Sequence, residues 1–242
     1  MTSFIFAIDS DLHFDPVRSE KKDNAEHIIN SGADFLIVTG DMTKRGTDGN
    51  SLCCFINGGK DHLSGFMDDY YEPISKRMPV YLCAGNHDNW VPWPYIYKPV
   101  INLIKEKHGS LTYSFDHKGV HFACCHIYPD DDVLKWLAKD LDKVIGPIIL
   151  FFHYNLNGPY SDWWARDKNS DPKIVIERQS KFYRVIKNKN VKLIITGHRH
   201  VNSIDTFKPV DESVEISTIV TGGPGFALCR WDGENISVRF MV

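Results

Sequence analysis

Five places along the 242-residue chain join an apolar run to side chains able to do chemistry. Residues 4–8 lead into "SDLHF", with Asp11 and His13, and residues 35–39 lead into "TGDMT", with Asp41. Residues 80–84 lead into "GNHD", with Asn86, His87 and Asp88; residues 148–152 end at His153; residues 192–196 lead into "TGHRH", with His198 and His200. Asp, Asn and His offer oxygen and nitrogen donors without thiolate, a set that suits Mn²⁺, Fe or Zn²⁺. Together they exceed what one cation needs. Each fragment alone has an ordinary reading: a DxH or GD at a strand end is commonly a turn or cap, and a lone histidine is more often a satisfied semi-buried side chain. Their common placement argues for a site.

That placement depends on the elements that carry the residues. The apolar, β-branched runs at 4–8, 35–39, 80–84, 120–125, 148–152 and 192–196 read as strands. Helical spacing falls between several of them. Ala25, Ile28 and Ile29 form one apolar face; Leu134, Leu137, Leu141 and Val144 form another, behind an N-cap region at Asp130–Asp132. Phe182, Val185 and Ile186 repeat the pattern. Alternating strands and helices predict βαβ units around a buried, largely parallel sheet, where ligands gather beyond the C-terminal strand ends. "VEISTIVTGG" and "ISVRFMV" alternate more strictly and predict antiparallel strands with one exposed face. With no linker, repeat or low-complexity tract, one domain over 1–242 is expected.

Composition excludes some partners. A net charge of −3 gives no general attraction to nucleic acid or anionic membrane, and no apolar stretch approaches a membrane span. The start, "MTSFIFAIDSDLH", lacks a basic n-region, so a signal peptide is not expected. The six cysteines (Cys53, Cys54, Cys83, Cys124, Cys125 and Cys229) form two adjacent pairs and no CxxC, which reads as free thiols in a reducing, cytoplasmic setting.

In order and type, D-x-H, G-D, G-N-H-D, a single H after a strand and G-H-x-H resemble the motifs of the calcineurin-like metallophosphoesterase superfamily. "YSFDHKGVHFACC" and "VLKWLAKDL" resemble its middle strands and helix, and "GGPGFALCRWDGENISVRF" its terminal hairpin. The resemblance implies an α/β fold, a four-layer α-β-β-α sandwich of two mixed sheets. It implies two divalent metal ions: one on Asp11, His13, Asp41 and His200, the other on Asp41, Asn86, His153 and His198, with Asp41 bridging. Such a pair clamps a phosphoryl group and acidifies a bridging water for in-line attack. His87 would stand near the leaving oxygen as general acid or hydrogen-bond donor. For Asp88 two roles stay open, orienting His87 or capping local backbone.

Arg45, four residues after Asp41, is where the protein Ser/Thr phosphatase branch carries a phosphate-binding arginine. That branch's further aspartate is Lys44 here and its GNHE is GNHD, so the chain is not assigned to it. A solvated loop arginine is the alternative. Asp9 reads as a hydrogen-bonded strand-end residue or as support for the metal ligands. His126 reads as a site-lining residue or an ordinary surface histidine. Trp90, Trp93, Tyr95, Tyr160, Trp163 and Trp164, in loops leaving ligand positions, would wall a pocket for a stacked base or another flat group, or pack on one another. The function expected is hydrolysis of a small phosphate ester, leaning to a nucleotide-like or organic phosphodiester. The alternatives are a phosphomonoesterase or protein phosphatase of the same fold, and a catalytically inactive scaffold.

Overall fold

Alternation along the strands sets the architecture. In the computed structural model, which describes residues 2–15, 21–44, 62–89, 98–156, 172–208 and 215–242, the strands form two mixed sheets. The first holds β1 (Phe4–Asp9), β2 (Phe35–Val38), β3 (Val80–Leu82), β10 (Phe226–Trp231) and β11 (Ile236–Met241), in the order β11-β10-β1-β2-β3. The second holds β4 (Thr112–His117), β5 (Val120–Cys125), β6 (Ile148–Phe151), β7 (Val191–Thr196), β8 (Ser203–Phe207) and β9 (Ile216–Val220), in the order β4-β5-β6-β7-β9-β8. β1, β2 and β3 run parallel, as do β5, β6, β7 and β9.

Both sheets bury both faces, which explains why the runs look continuous rather than alternating. Phe4, Phe6, Ile8, Phe35 and Ile37 point inward and meet Phe122, Ile149, Phe151, Leu193 and Ile195 of the other sheet. The opposite faces take the other parity. Ala7, Leu36 and Val38 pack under α1 (Asn24–Ile29), the helical stretch of α2 (His62–Phe66), a π turn at Met67–Tyr71 and α3 (Glu72–Ser75), and α5 (Pro99–His108). Ala123, Leu150 and Ile194 pack under α6 (Asp131–Asp140) and α7 (Pro172–Ile186). Three apolar interfaces thus separate four layers, helix, sheet, sheet and helix. Asp130 caps α6, its carboxylate accepting from the Asp132 and Val133 amides.

One expectation is corrected. β9, within "VEISTIVTGG", is parallel to β7 and antiparallel only to β8, and it buries Ile216 and Ile219 on opposite faces. Its seeming alternation comes from Ser217, the one exposed residue in an otherwise buried strand. β10 and β11 do form an antiparallel hairpin, and β11 shows the alternating half-exposure expected at a sheet edge.

β4, β5 and α6 are tied by His121, whose Nδ1 lies 2.7 Å from Asp116 Oδ1 and whose Nε2 lies 2.9 Å from Asp140 Oδ2. Carboxylates only accept, so an imidazole donating from both nitrogens is protonated. Its pKa is raised, first by the Asp140 hydrogen bond and then by Asp116, against the cost of burial. A raised pKa contributes stability that is full below the unfolded value and lost as pH rises through the folded one. His121→Gln should therefore lower Tm more at about pH 6 than at about pH 9, by a modest amount because one of its two partners, Asp116, is largely exposed. A pH-independent difference in thermal melts would remove the charged tie.

Candidate metal centre

Each candidate ligand sits just past a strand's C-terminal end. Asp11 and His13 follow β1, Asp41 follows β2, and Asn86 and His87 open the short helix α4 (Asn86–Asn89) after β3. His153 follows β6, and His198 and His200 follow β7. The first sheet thus supplies the carboxylates, the amide and two imidazoles; the second supplies three imidazoles. The cluster straddles the seam between the sheets.

Three groups of donor atoms lie mutually within 4.8 Å: Asp11, His13 and His200; Asp41, His153 and His198; and His13, Asp41 and His87. His13 Nε2 is 3.1 Å from His200 Nε2 and 3.7 Å from Asp41 Oδ2. Asp41 Oδ2 is also 3.4 Å from His153 Nε2, which is 3.0 Å from Asn86 Oδ1 and 3.2 Å from His198 Nδ1. Asp41 therefore faces both halves of the cluster. Imidazole nitrogens converge on one another, and the buried Asp11 Oδ1 has no hydrogen-bond partner. Cations between these atoms would satisfy both conditions, so the donor set fits a metal pair.

The outer atoms are fixed by the protein. His153 Nδ1 donates to the Thr39 carbonyl at 2.8 Å, leaving Nε2 to face inward. Asp11 Oδ2 accepts from Ser10 Oγ at 2.8 Å and from the His198 amide at 2.9 Å. Asp41 Oδ1 accepts from the His87 amide at 2.8 Å. Asp11, His13, Asp41, His198 and His200 all have positive φ, between 45° and 72°. This conformation is uncommon for residues other than glycine and costs on the order of 1–3 kcal/mol where it is held. It turns the chain sharply enough to aim side chains back over the strand ends. Two glycines press directly against the carboxylates: a Cβ on Gly85 would strike Asp41, and one on Gly222, at φ +133°, would strike Asp11 Oδ2.

Electrostatics keep nitrogen lone pairs available. Burial, then neighbouring imidazoles, lowers the pKa of His13 to about 4 and that of His198 to about 3, although Asp41 pulls the other way at both. At His153 burial is overcome by the Asp41 carboxylate, and the pKa rises to about 9. A cation at Nε2 would take the place of that proton. Burial raises the Asp11 carboxyl; at Asp41 it is outweighed by the facing His153, which holds the carboxyl below its usual range.

His87 donates Nδ1–H to the Lys44 carbonyl at 2.8 Å, and its ring meets His13 edge-on at 4.7 Å. Asp88 does not supply that orientation. Its buried carboxylate accepts from the amides of Gly85 (2.9 Å), Thr43 (3.1 Å) and Met42 (3.3 Å) and from Thr43 Oγ1, joining the β2 and β3 loops. Burial and then Asp41 raise its pKa to about 6. Of the two roles open for Asp88, these bonds describe the cap. Arg45, Cys53, Cys54 and the six aromatic residues of the two loops lie outside the described residues. His126 is half-buried at the end of β5 with φ 58°, its carbonyl accepting from Cys83 Sγ.

Sequence reasoning did not find the Lys44 carbonyl, Gly222 or Tyr154. The Tyr154 ring lies 4.5 Å from His198 and stacks on Tyr128 at 5.7 Å. Backbone contacts leave no trace in residue type, but Tyr154, adjacent to His153, was within reach of a closer reading.

Two mixed sheets between helices, with histidines and carboxylates gathered where parallel strands end, define the metallo-dependent phosphatase fold. More narrowly, the chain belongs to the calcineurin-like phosphoesterase family, whose model matches residues 6–202. That family comprises hydrolases of phosphate esters that depend on a dinuclear metal centre. A Fibrobacter succinogenes protein named "Probable cyclic nucleotide phosphodiesterase" is 23% identical over 222 residues, covering 84% of this chain and 75% of its own. A purple acid phosphatase from yellow lupin superposes with a TM-score of 0.67 at 14% identity over 99% of this chain, which spans only 52% of the lupin chain. A dimetal phosphatase from Danio rerio superposes with a TM-score of 0.64 at 13% identity, covering 98% of this chain and 95% of its own.

Proposed function

We propose that the chain hydrolyses a small phosphodiester, nucleotide-like or otherwise organic, at a pair of divalent cations drawn from Mn²⁺, Fe and Zn²⁺. The observation that carries the reading is the pair of donor groups meeting at Asp41: Asp11, His13 and His200 on one side, His153 and His198 on the other, with Asn86 Oδ1 beside His153. When bound, the cations would supply Lewis-acid charge and an activated water. The chain's own residues supply the rest. Asp41 holds the two halves in register and, through its Oδ1, fixes the His87 backbone. With its Nδ1 proton engaged by Lys44, His87 carries a proton on Nε2 only as imidazolium, and we assign that atom to the leaving oxygen. Tyr154 and Tyr128 offer a flat apolar wall beside His198.

The leaning to a diester is supported by the bacterial relative's name. One domain over 1–242 is part of the same reading. So is a reducing, cytoplasmic setting, supported by four buried free thiols at Cys83, Cys124, Cys125 and Cys229. No helix among the described residues is long and apolar enough to cross a membrane.

The test is turnover of Mn²⁺-reconstituted protein on a bis-aryl phosphodiester against an aryl phosphomonoester, followed by cyclic and linear nucleotides. Preference for the diester and for a cyclic nucleotide is expected. Hydrolysis confined to monoesters would overturn the substrate assignment while keeping the class, and metal uptake without hydrolysis of any ester would favour a scaffold.

A further inference from the structure

Asp9 stands two residues before Asp11, fully buried and outside every donor group. Its carboxylate gathers donors from separate parts of the chain: Lys21 Nζ at 3.0 Å, Asn24 Nδ2 at 2.9 Å, Tyr70 OH at 2.8 Å and the Ser10 amide at 2.9 Å. Lys21 is itself only 7% exposed and Tyr70 is wholly buried in the π turn. A buried ion pair is weak evidence for stability, because desolvation offsets most of its attraction, so its presence calls for another reason.

The onward bonds supply one. Lys21 Nζ also donates to the Ser10 carbonyl, and Ser10 Oγ donates to Asp11 Oδ2. Asn24 Nδ2 also donates to the Gly225 carbonyl at 3.0 Å, holding the loop whose Gly222 abuts Asp11 Oδ2. Asp11 is thereby gripped from both sides, and its φ of 52° is a conformation that persists only where the surroundings over-determine it. The other half of the cluster is braced by Asp88 and the Thr39 carbonyl, which Ser10 Oγ reaches only at 3.4 Å. Asp11 meets that half through the His198 backbone amide, not its ring, and the Asp9 carboxylate makes no hydrogen bond to Asn86, His153 or His198.

Resting on the metal-centre reading, we propose that Asp9, with Lys21 and Tyr70, is a positioning residue. It holds the Asp11 carboxylate in its ligating pose and so sets the metal affinity of the Asp11–His13–His200 half, not of the Asp41–His153–His198 half.

The test is calorimetric titration of the metal-free full chain with Mn²⁺, reading two binding events. Tyr70→Phe removes one hydrogen bond without changing charge. Asp9→Asn keeps the shape but leaves Lys21 unpaired, and the double variant Asp9→Asn/Lys21→Met removes that stranded charge. All three should weaken one site by about 10- to 100-fold, the usual effect of losing support behind a ligand, and leave the other unchanged. The weakened site should be the one that His13→Ala abolishes. Turnover should then need more Mn²⁺ for half-activation while kcat at saturation is retained. If Asp9→Asn does not fold, Tyr70→Phe carries the test. Folded variants with wild-type affinity at both sites, or with both weakened equally, would overturn the proposal, as would a double variant that regains both Tm and affinity. Wild-type protein that takes up no Mn²⁺ would instead sink the metal-centre reading itself.

Discussion

Asp41→Ala is expected to leave a chain that takes up neither cation and hydrolyses its ester about a thousandfold more slowly or worse. Among the described residues, Asp41 is the carboxylate that faces imidazole nitrogens of both halves of the cluster, 3.7 Å from His13 and 3.4 Å from His153. A metal pair supplies several kcal/mol of charge stabilisation in phosphoryl transfer, and losing about 4 kcal/mol corresponds to about three orders of magnitude. Metal content by elemental analysis, beside turnover and a circular-dichroism melt, checks each part. Loss of one cation alone would assign Asp41 to a single half and remove the bridge.

His87→Ala should behave differently. Both cations should stay, because the ring is held by Lys44 rather than by another candidate ligand, and kcat should fall by about 10²–10⁴ if its Nε2 proton goes to the leaving oxygen. The dependence on leaving group makes the assignment specific. A nitrophenolate, stable as an anion, needs little protonation and should lose least; an alkoxide leaving group should lose most. An unaffected rate would remove His87 from the mechanism. Loss of one cation would make it a ligand, which its membership of the donor group with His13 and Asp41 allows geometrically.

The fold was legible where burial on both faces wrote continuous apolar runs, as in β2 and β6. It misled at β9, because a single exposed serine mimics the alternation of a half-exposed strand. The donor cluster was legible because its residues are rare in type and fixed in order. What surrounds it was less so. Asp88 looked the same in the sequence as partner of His87 or as clamp of the Thr43 and Gly85 amides, since both need only a carboxylate after GNH. Lys21, Asn24 and Tyr70 meet Asp9 through tertiary packing, at separations of 12, 15 and 61 residues, and no local pattern marks them.

β10 pairs with β1, and the His198 amide binds the Asp11 carboxylate across 187 residues of sequence. The order of assembly follows. Asp11 is made long before two of the groups that hold its carboxylate, the His198 amide after β7 and Gly222 in the loop before β10, whereas Ser10 and the Gly40 carbonyl are close to it in sequence. Contacts between such distant segments are slow to form, because the intervening loop must be closed first. Full assembly of the Asp11 half of the cluster would therefore wait for those later segments. A nascent chain stalled before Gly222 would have every histidine it needs and still lack the wall against which Asp11 rests.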